Sequence, residues 1–237
     1  MSLPAENAFP GFAGPFGQSG FRGADHAAVG MPEPAAGYSF RHHFEQMLRP
    51  RLHRRADGFA ALFAALARQA GPRLILETGC LRLPKNWEGD GQSSYMFDLF
   101  VQAEIASGRS AAFFSIDLNP ASLTVARQVC SYATNLVLND SVHALHTLSR
   151  QMRGRQVSLL YLDSFDLDHA DPMPSATHHI MELTAAAPLL GSGSLVAVDD
   201  FTVEGVVGGK GLLIDRYMQA IGAAVVYQGY QKIWRCP

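Results

Sequence analysis

The chain has 237 residues, 48% hydrophobic and 17% charged, with a formal net charge of −2 at pH 7. That is enough apolar chain for one substantial core, and too little positive charge for general nucleic-acid binding through a basic surface. No run approaches the about 20 apolar residues that span a bilayer. The N-terminus lacks a basic segment followed by an apolar core, and three widely spaced cysteines (Cys80, Cys130, Cys236) imply no disulfide framework. A cytoplasmic protein without nucleic-acid or membrane partners is therefore expected.

Residues 1–39 are rich in Gly, Pro, Ala and Phe and lack periodicity, so an irregular arm is expected. Phe9, Phe12, Phe16 and Phe21 make it more aromatic than a solvated tail. That favours packing on its own domain or on a partner subunit, and leaves a homo-oligomer open. Over 40–72 the pattern turns helical, with Phe44, Met47 and Leu48, then Phe59, Leu62, Phe63 and Leu66, and Pro50 between the two runs. This helical cap carries a basic cluster, Arg49, Arg51, His53, Arg54 and Arg55. It reads either as a solvated helix end or as an attractor for a phosphorylated or carboxylated molecule.

From 73 to 237 aliphatic runs alternate with helical spacing. Leu74-Ile75-Leu76-Glu77-Thr78-Gly79 predicts a strand, β1 (73–79), buried on both faces. Further strands are expected at 111–118 (β2), 136–140 (β3), 157–164 (β4) and 193–200 (β5). Pro120 suits the first turn of a helix through Leu123 and Ala126, Ser141 is expected to cap a helix through Leu145 and Leu148, and the helix after Ser175 is expected to end at Gly191. Alternation of this kind means a parallel sheet covered on both faces. A helix near 210–221 then precedes two strands, Ala224–Tyr227 and Lys232–Arg235. Their connection is too short for a parallel crossover, so they form an antiparallel hairpin. The expected fold is an α/β, Rossmann-like doubly wound sheet of seven strands with a C-terminal antiparallel hairpin.

Four of these strands end in acids: Glu77, Asp117, Asp163 and the pair Asp199-Asp200. They share the carboxyl edge, where open α/β sheets bind ligands. Gly79 lets backbone approach a ligand closely there, and Gly91-Gln92-Ser93-Ser94 follows twelve residues after it. Clustered carboxylates such as Asp163, Asp199 and Asp200 repel unless a cation or proton intervenes. Hard oxygen donors with room for water suit Mg²⁺, Ca²⁺ or Mn²⁺.

On Glu77-Thr78-Gly79 with Gly91, Asp117, Asn139-Asp140-Ser141, Asp163 and the terminal hairpin, residues 73–237 resemble the class I S-adenosylmethionine-dependent methyltransferases. The resemblance implies S-adenosylmethionine as cofactor. Its tail would lie against Gly79, Gly91, Ser93 and Glu77, its ribose on Asp117, and its adenine on Asp140 and Ser141, with Asp163 also at the cofactor. Tyr161-Leu162-Asp163 and Val198-Asp199-Asp200 are similar to the metal-dependent O-methyltransferases of the catechol type. That similarity implies a divalent ion, Mg²⁺ for preference, on Asp163, Asp199 and Asp200, and a hydroxylated small molecule of sugar or natural-product type as methyl acceptor.

Two features depart from the pattern. Catechol-type relatives carry a lysine where Asp166 stands here, so the general base is sought among His169, Asp166 and Lys210, the last on a glycine-rich loop. The stretch between Gly79 and Gly91, with Arg82, Lys85 and Trp87, is longer than in most relatives and suits a lid over the site. A nicotinamide-dependent oxidoreductase would require G-x-G-x-x-G after β1, which is absent. A non-catalytic binding subunit of the same fold is the other alternative, and intact acids at four strand ends argue against it.

Overall fold

A computed structural model describes residues 39–237; the expected irregular arm lies outside them but for Ser39. The seven-stranded sheet runs in the order β3-β2-β1-β4-β5 and closes with the C-terminal hairpin. Strands β1 (Arg73–Thr78), β2 (Ala111–Asp117), β3 (Thr134–Leu138), β4 (Leu159–Leu162) and β5 (Leu195–Val198) are parallel. The hairpin of β8 (Ala224–Gln228) and β9 (Lys232–Arg235) joins antiparallel to β5, as its short connection requires. An additional ribbon, β6 (Thr202–Val203) with β7 (Val206–Val207), follows β5 and was not foreseen. Its turn, Glu204-Gly205, has both residues at positive φ (48° and 87°), the geometry of a tight hairpin.

Strand parity divides the interior into two cores. Leu74, Leu76, Phe114, Leu160, Leu162, Val196, Val198 and Trp234 face one side. There they meet α5 (Ser141–Gln151), α6 (Met173–Ala186) and α7 (Leu212–Ala220). The residues between them, Ile75, Phe113, Leu159, Tyr161, Leu195, Ala197 and Ile233, face the other side. That face holds α1 (Phe40–His43), α2 (Ala56–Arg68) and α3 (Ser93–Ala106), joined by aromatic contacts such as Phe59 stacked on Tyr161 at 5.7 Å, and α4 (Pro120–Val129) packs beside α3. The helical segment before residue 73 thus shares its core with the sheet. Pro50 parts its two runs, sitting in a 3₁₀ turn at Arg49–Arg51.

Three expected boundaries are corrected. Strand β3 ends at Leu138 because Asn139 and Asp140 leave it to start α5. Asp140, not Ser141, is the cap, its carboxylate accepting the His143 amide at 2.9 Å. The helix expected to reach Gly191 stops at Ala186; Pro188, which has no N–H, sits in a 3₁₀ turn at Ala187–Leu189. It also begins at Met173, so Ser175 lies in its first turn and donates to the Phe165 carbonyl at 3.1 Å.

Candidate active site

The strand order reverses between β1 and β4, so a crevice opens where their carboxyl ends diverge. Gly79 lies there at φ 78°, and a Cβ on it would stand 2.4 Å from the Asp163 carbonyl oxygen. Only glycine fits, and the backbone at the switch point stays open to a ligand. Asp117 closes one side, its carboxylate accepting the Cys80 amide at 3.0 Å and the Asn119 amide at 2.7 Å.

The parity that sends Ile75 and Phe113 to the α2/α3 face sends Glu77 and Ser115 there too. Glu77 is fully buried. Its Oε2 accepts from Ser94 Oγ at 2.6 Å and Ser115 Oγ at 2.5 Å, while Oε1 has no partner. Burial lifts this carboxyl to about 7 against the pull of the Ser115, Ser93 and Ser94 hydroxyls. Ser93 opens α3 and is buried beside Ser94. The space beside Gly91 is filled by the Arg55 side chain, 2.9 Å from where a Cβ would be. Gly91 thus makes room for an arginine.

Asp163, Asp199 and Asp200 converge, with one oxygen of each within 4.8 Å of the others. Asp199 shares the parity of Tyr161 and faces α2. There Arg55, the residue before that helix, donates to its Oδ2 from Nε at 2.8 Å, while Tyr161 donates to Oδ1 at 3.2 Å. Arg55 also donates to the Glu88 carbonyl at 2.6 Å, which ties the loop after β1 to the site. Lys210 lies 2.5 Å from Asp163 and 3.0 Å from Asp200. It is buried in a 3₁₀ turn, Gly209–Gly211, rather than carried on an open loop. Gly209 permits this packing, since a Cβ there would strike the Asp200 carbonyl oxygen. Tyr230, from the β8–β9 turn, donates its hydroxyl to Asp200.

Two cations thus face three carboxylates, a formal excess of one negative charge when every group is ionised. Burial raises the Asp163 carboxyl, Asp199 and Asp200 add to the rise, and Lys210 opposes it. Burial works against charge on Asp200 as well, but Lys210 and the Tyr230 hydroxyl outweigh it and hold that carboxyl low. Burial disfavours the Lys210 cation, yet Asp163 and Asp200 more than compensate and raise its pKa.

The other candidate bases stand apart from this cluster. His169 is exposed and pairs with Glu204 of the ribbon turn at 3.3 Å; Asp166 is exposed and pairs with Arg82 at 3.2 Å. Asp140 is exposed in its cap, and Ser141 Oγ lies 3.0 Å from His178 Nε2. Arg55 and Tyr230 were not singled out from sequence as site residues. Arg55 was visible only as one of five basic residues, and Tyr230 only as part of a hairpin connection. A depression of about 760 Å³ between α5 and α6, lined by Val142, His146, Met181 and neighbours, holds none of the strand-end acids.

No protein-family model matches the chain, and no curated protein matches it. Solved structures do. CalS11, a calicheamicin methyltransferase, is 14% identical over 82% of this chain and 84% of that one, with a TM-score of 0.53. The MycE methyltransferase of the mycinamycin biosynthetic pathway, in complex with Mg, SAH and mycinamycin VI, is 15% identical, with a TM-score of 0.54. The match covers 84% of this chain and 54% of MycE, so the chain spans about half of that protein's length. The likeness is one of fold: this chain shares the fold of these two methyltransferases. No helix among the described residues is long and apolar enough to cross a membrane.

Proposed function

We propose that this protein is an S-adenosylmethionine-dependent O-methyltransferase acting on a hydroxylated small molecule of sugar or natural-product type, assisted by a divalent cation. The observation that carries the reading is the convergence of Asp163, Asp199, Asp200 and Lys210 beside the open backbone at Gly79. The residues suit both groups. Glu77 Oε1, buried and unpartnered, is an acceptor in want of a donor such as the cofactor's ammonium. Three converging carboxylates are a donor set for a hard dication.

S-adenosylmethionine supplies a methyl group on a sulfonium: the acceptor oxygen forms the new C–O bond as the S–C bond breaks, leaving neutral S-adenosylhomocysteine. A dication held by Asp163, Asp199 and Asp200 would polarise the acceptor hydroxyl and, as a like charge beside Lys210, favour the neutral amine. Only in that neutral form, its own proton first passed to water, would Lys210 take the proton from the acceptor hydroxyl at Nζ. Arg55 holds Asp199 in place and, through the Glu88 carbonyl, draws the 80–90 loop over the site. Displacement at carbon proceeds in line, so much of the acceleration comes from holding the two reactants in register.

A second reading is favoured by the ion pairs themselves. Arg55 and Lys210 already neutralise most of the aspartate charge, and a methyltransferase could keep that arrangement without any metal. Calorimetry with S-adenosylhomocysteine tests the common premise, and no binding at high micromolar concentration refutes it. Turnover with Mg²⁺ against chelator separates the two readings. Loss of turnover on chelation that Mg²⁺ restores supports the ion; indifference to chelator leaves the aspartates to Arg55 and Lys210. A folded protein that binds S-adenosylhomocysteine but methylates no acceptor in a broad panel would favour a binding subunit instead.

A further inference from the structure

The basic residues before α2 do not share one fate. Arg49 is spent on Glu45 at 2.8 Å and Asp57 at 3.0 Å, and Arg55 is buried on Asp199. Arg51 and Arg54 are exposed, and neither makes an ion pair among the described residues; the exposed Glu88 nearby pairs with neither. Each guanidinium instead lies on an aromatic ring. Arg54 stands 4.3 Å from the Tyr230 ring centre and Arg51 5.6 Å from that of Trp87. A guanidinium resting over an aromatic ring keeps N–H donors available to a further ligand.

Both rings belong to the rim of the aspartate site. Tyr230 carries Arg54 on its face and Asp200 on its hydroxyl, so one side chain separates the exposed cation from the cluster. Trp87 sits in the loop whose Glu88 and Gly89 carbonyls accept from Arg55. Between the two arginines, exposed His53 is held at φ 47°. That conformation is uncommon outside glycine, though less so for histidine, and tends to collect at binding sites. Unneutralised like charges held against rings beside a site are a receptor for an anion.

We infer that Arg51, Arg54 and His53 form a phosphate subsite, and hence that the methyl acceptor is a phosphorylated molecule. Its phosphate rests on the two guanidinium groups while its hydroxyl reaches Lys210 and the aspartates; the acceptor part rests on the methyltransferase reading. A phosphate fits better than a carboxylate. A planar carboxylate satisfies one guanidinium fork, whereas phosphate oxygens point in several directions and can serve two.

The test is calorimetry of the full chain at low salt, with chelator present so that no divalent ion links probe to aspartates. Pyrophosphate is the probe, citrate the carboxylate comparison and S-adenosylhomocysteine the control, each against wild type and Arg51→Gln/Arg54→Gln. Pyrophosphate is expected to bind wild type, to bind the double variant at least tenfold more weakly, and to weaken as NaCl is added. S-adenosylhomocysteine is expected to bind both proteins alike. Pyrophosphate binding that is absent, or equal in the two proteins, overturns the subsite while S-adenosylhomocysteine binding keeps the methyltransferase reading standing. Citrate binding tighter than pyrophosphate overturns the choice of phosphate. Failure of wild type to bind S-adenosylhomocysteine overturns the methyltransferase reading and the acceptor assignment with it.

Discussion

Replacing Glu77 with Gln interrogates the buried edge of the site. The carboxyl is raised from 4.5 to about 7, with burial as the main cause. At about 1.4 kcal/mol per pKa unit, that shift is worth about 3 kcal/mol of proton linkage. Because the folded pKa lies above the unfolded one, the linked stability is fully present below pH 4.5 and is lost as pH rises through 7. A Gln side chain keeps an oxygen to accept from Ser94 and Ser115 but carries no titrating proton. Urea unfolding of both proteins from pH 5 to pH 8 should show the stability of wild type, relative to Glu77→Gln, falling by about 2.5 kcal/mol across that range, the rest being lost below pH 5. Taking the difference cancels groups common to both chains, including the raised Asp163. A difference constant within about 0.5 kcal/mol would mean that Glu77 titrates as in a free peptide, and would refute the account of its burial. A functional consequence follows under the proposed activity. If ionised Glu77 receives the cofactor's ammonium, S-adenosylhomocysteine should bind more tightly as pH rises from 6 to 8 in wild type, with no such rise in the variant.

Other substitutions probe the rest of the edge. Gly79→Ala drives a methyl group into the Asp163 carbonyl at a positive φ; it should cost about 2 kcal/mol or more in urea unfolding and weaken S-adenosylhomocysteine binding by over tenfold in calorimetry. Asp199→Asn removes the nearer counter-charge of buried Arg55, leaving Asp200 at 3.9 Å, and should destabilise the fold by about 2–3 kcal/mol, so a loss below about 1 kcal/mol would show that the pair is dispensable. Lys210→Met should lower turnover by about 10²–10⁴-fold with S-adenosylhomocysteine binding retained. His169→Ala and Asp166→Ala, both at exposed positions, should each shift stability by no more than about 0.5 kcal/mol. A collapse of turnover in His169→Ala, with Lys210→Met active, would move the proton acceptor to the histidine.

Much of the fold was legible because it rests on local patterns. Continuous aliphatic runs marked β1, β2, β4 and β5 as strands covered on both faces, and a connection of a few residues could only turn the last two strands antiparallel. The acids at the strand ends were visible for the same reason, since a charged residue closing an apolar run must lie at an edge. The ribbon at Thr202–Val207 escaped notice because two-residue strands have no period to read, and the end of β3 slipped by two residues because Asp140 was needed to cap α5.

Which charges meet was decided by tertiary structure alone. Arg55 and Asp199 are 144 residues apart, and what joins them is the parity of β5 together with the docking of α2 on that face of the sheet. Lys210 reached Asp163 and Asp200 because the Gly209 turn could fold onto the Asp200 backbone, while His169, closer to Asp163 in the chain, was drawn to Glu204. Residue types, read along the chain, announced an acidic edge and a basic cluster. Coulomb interactions depend on distance through space, and only the packed sheet and helices set those distances.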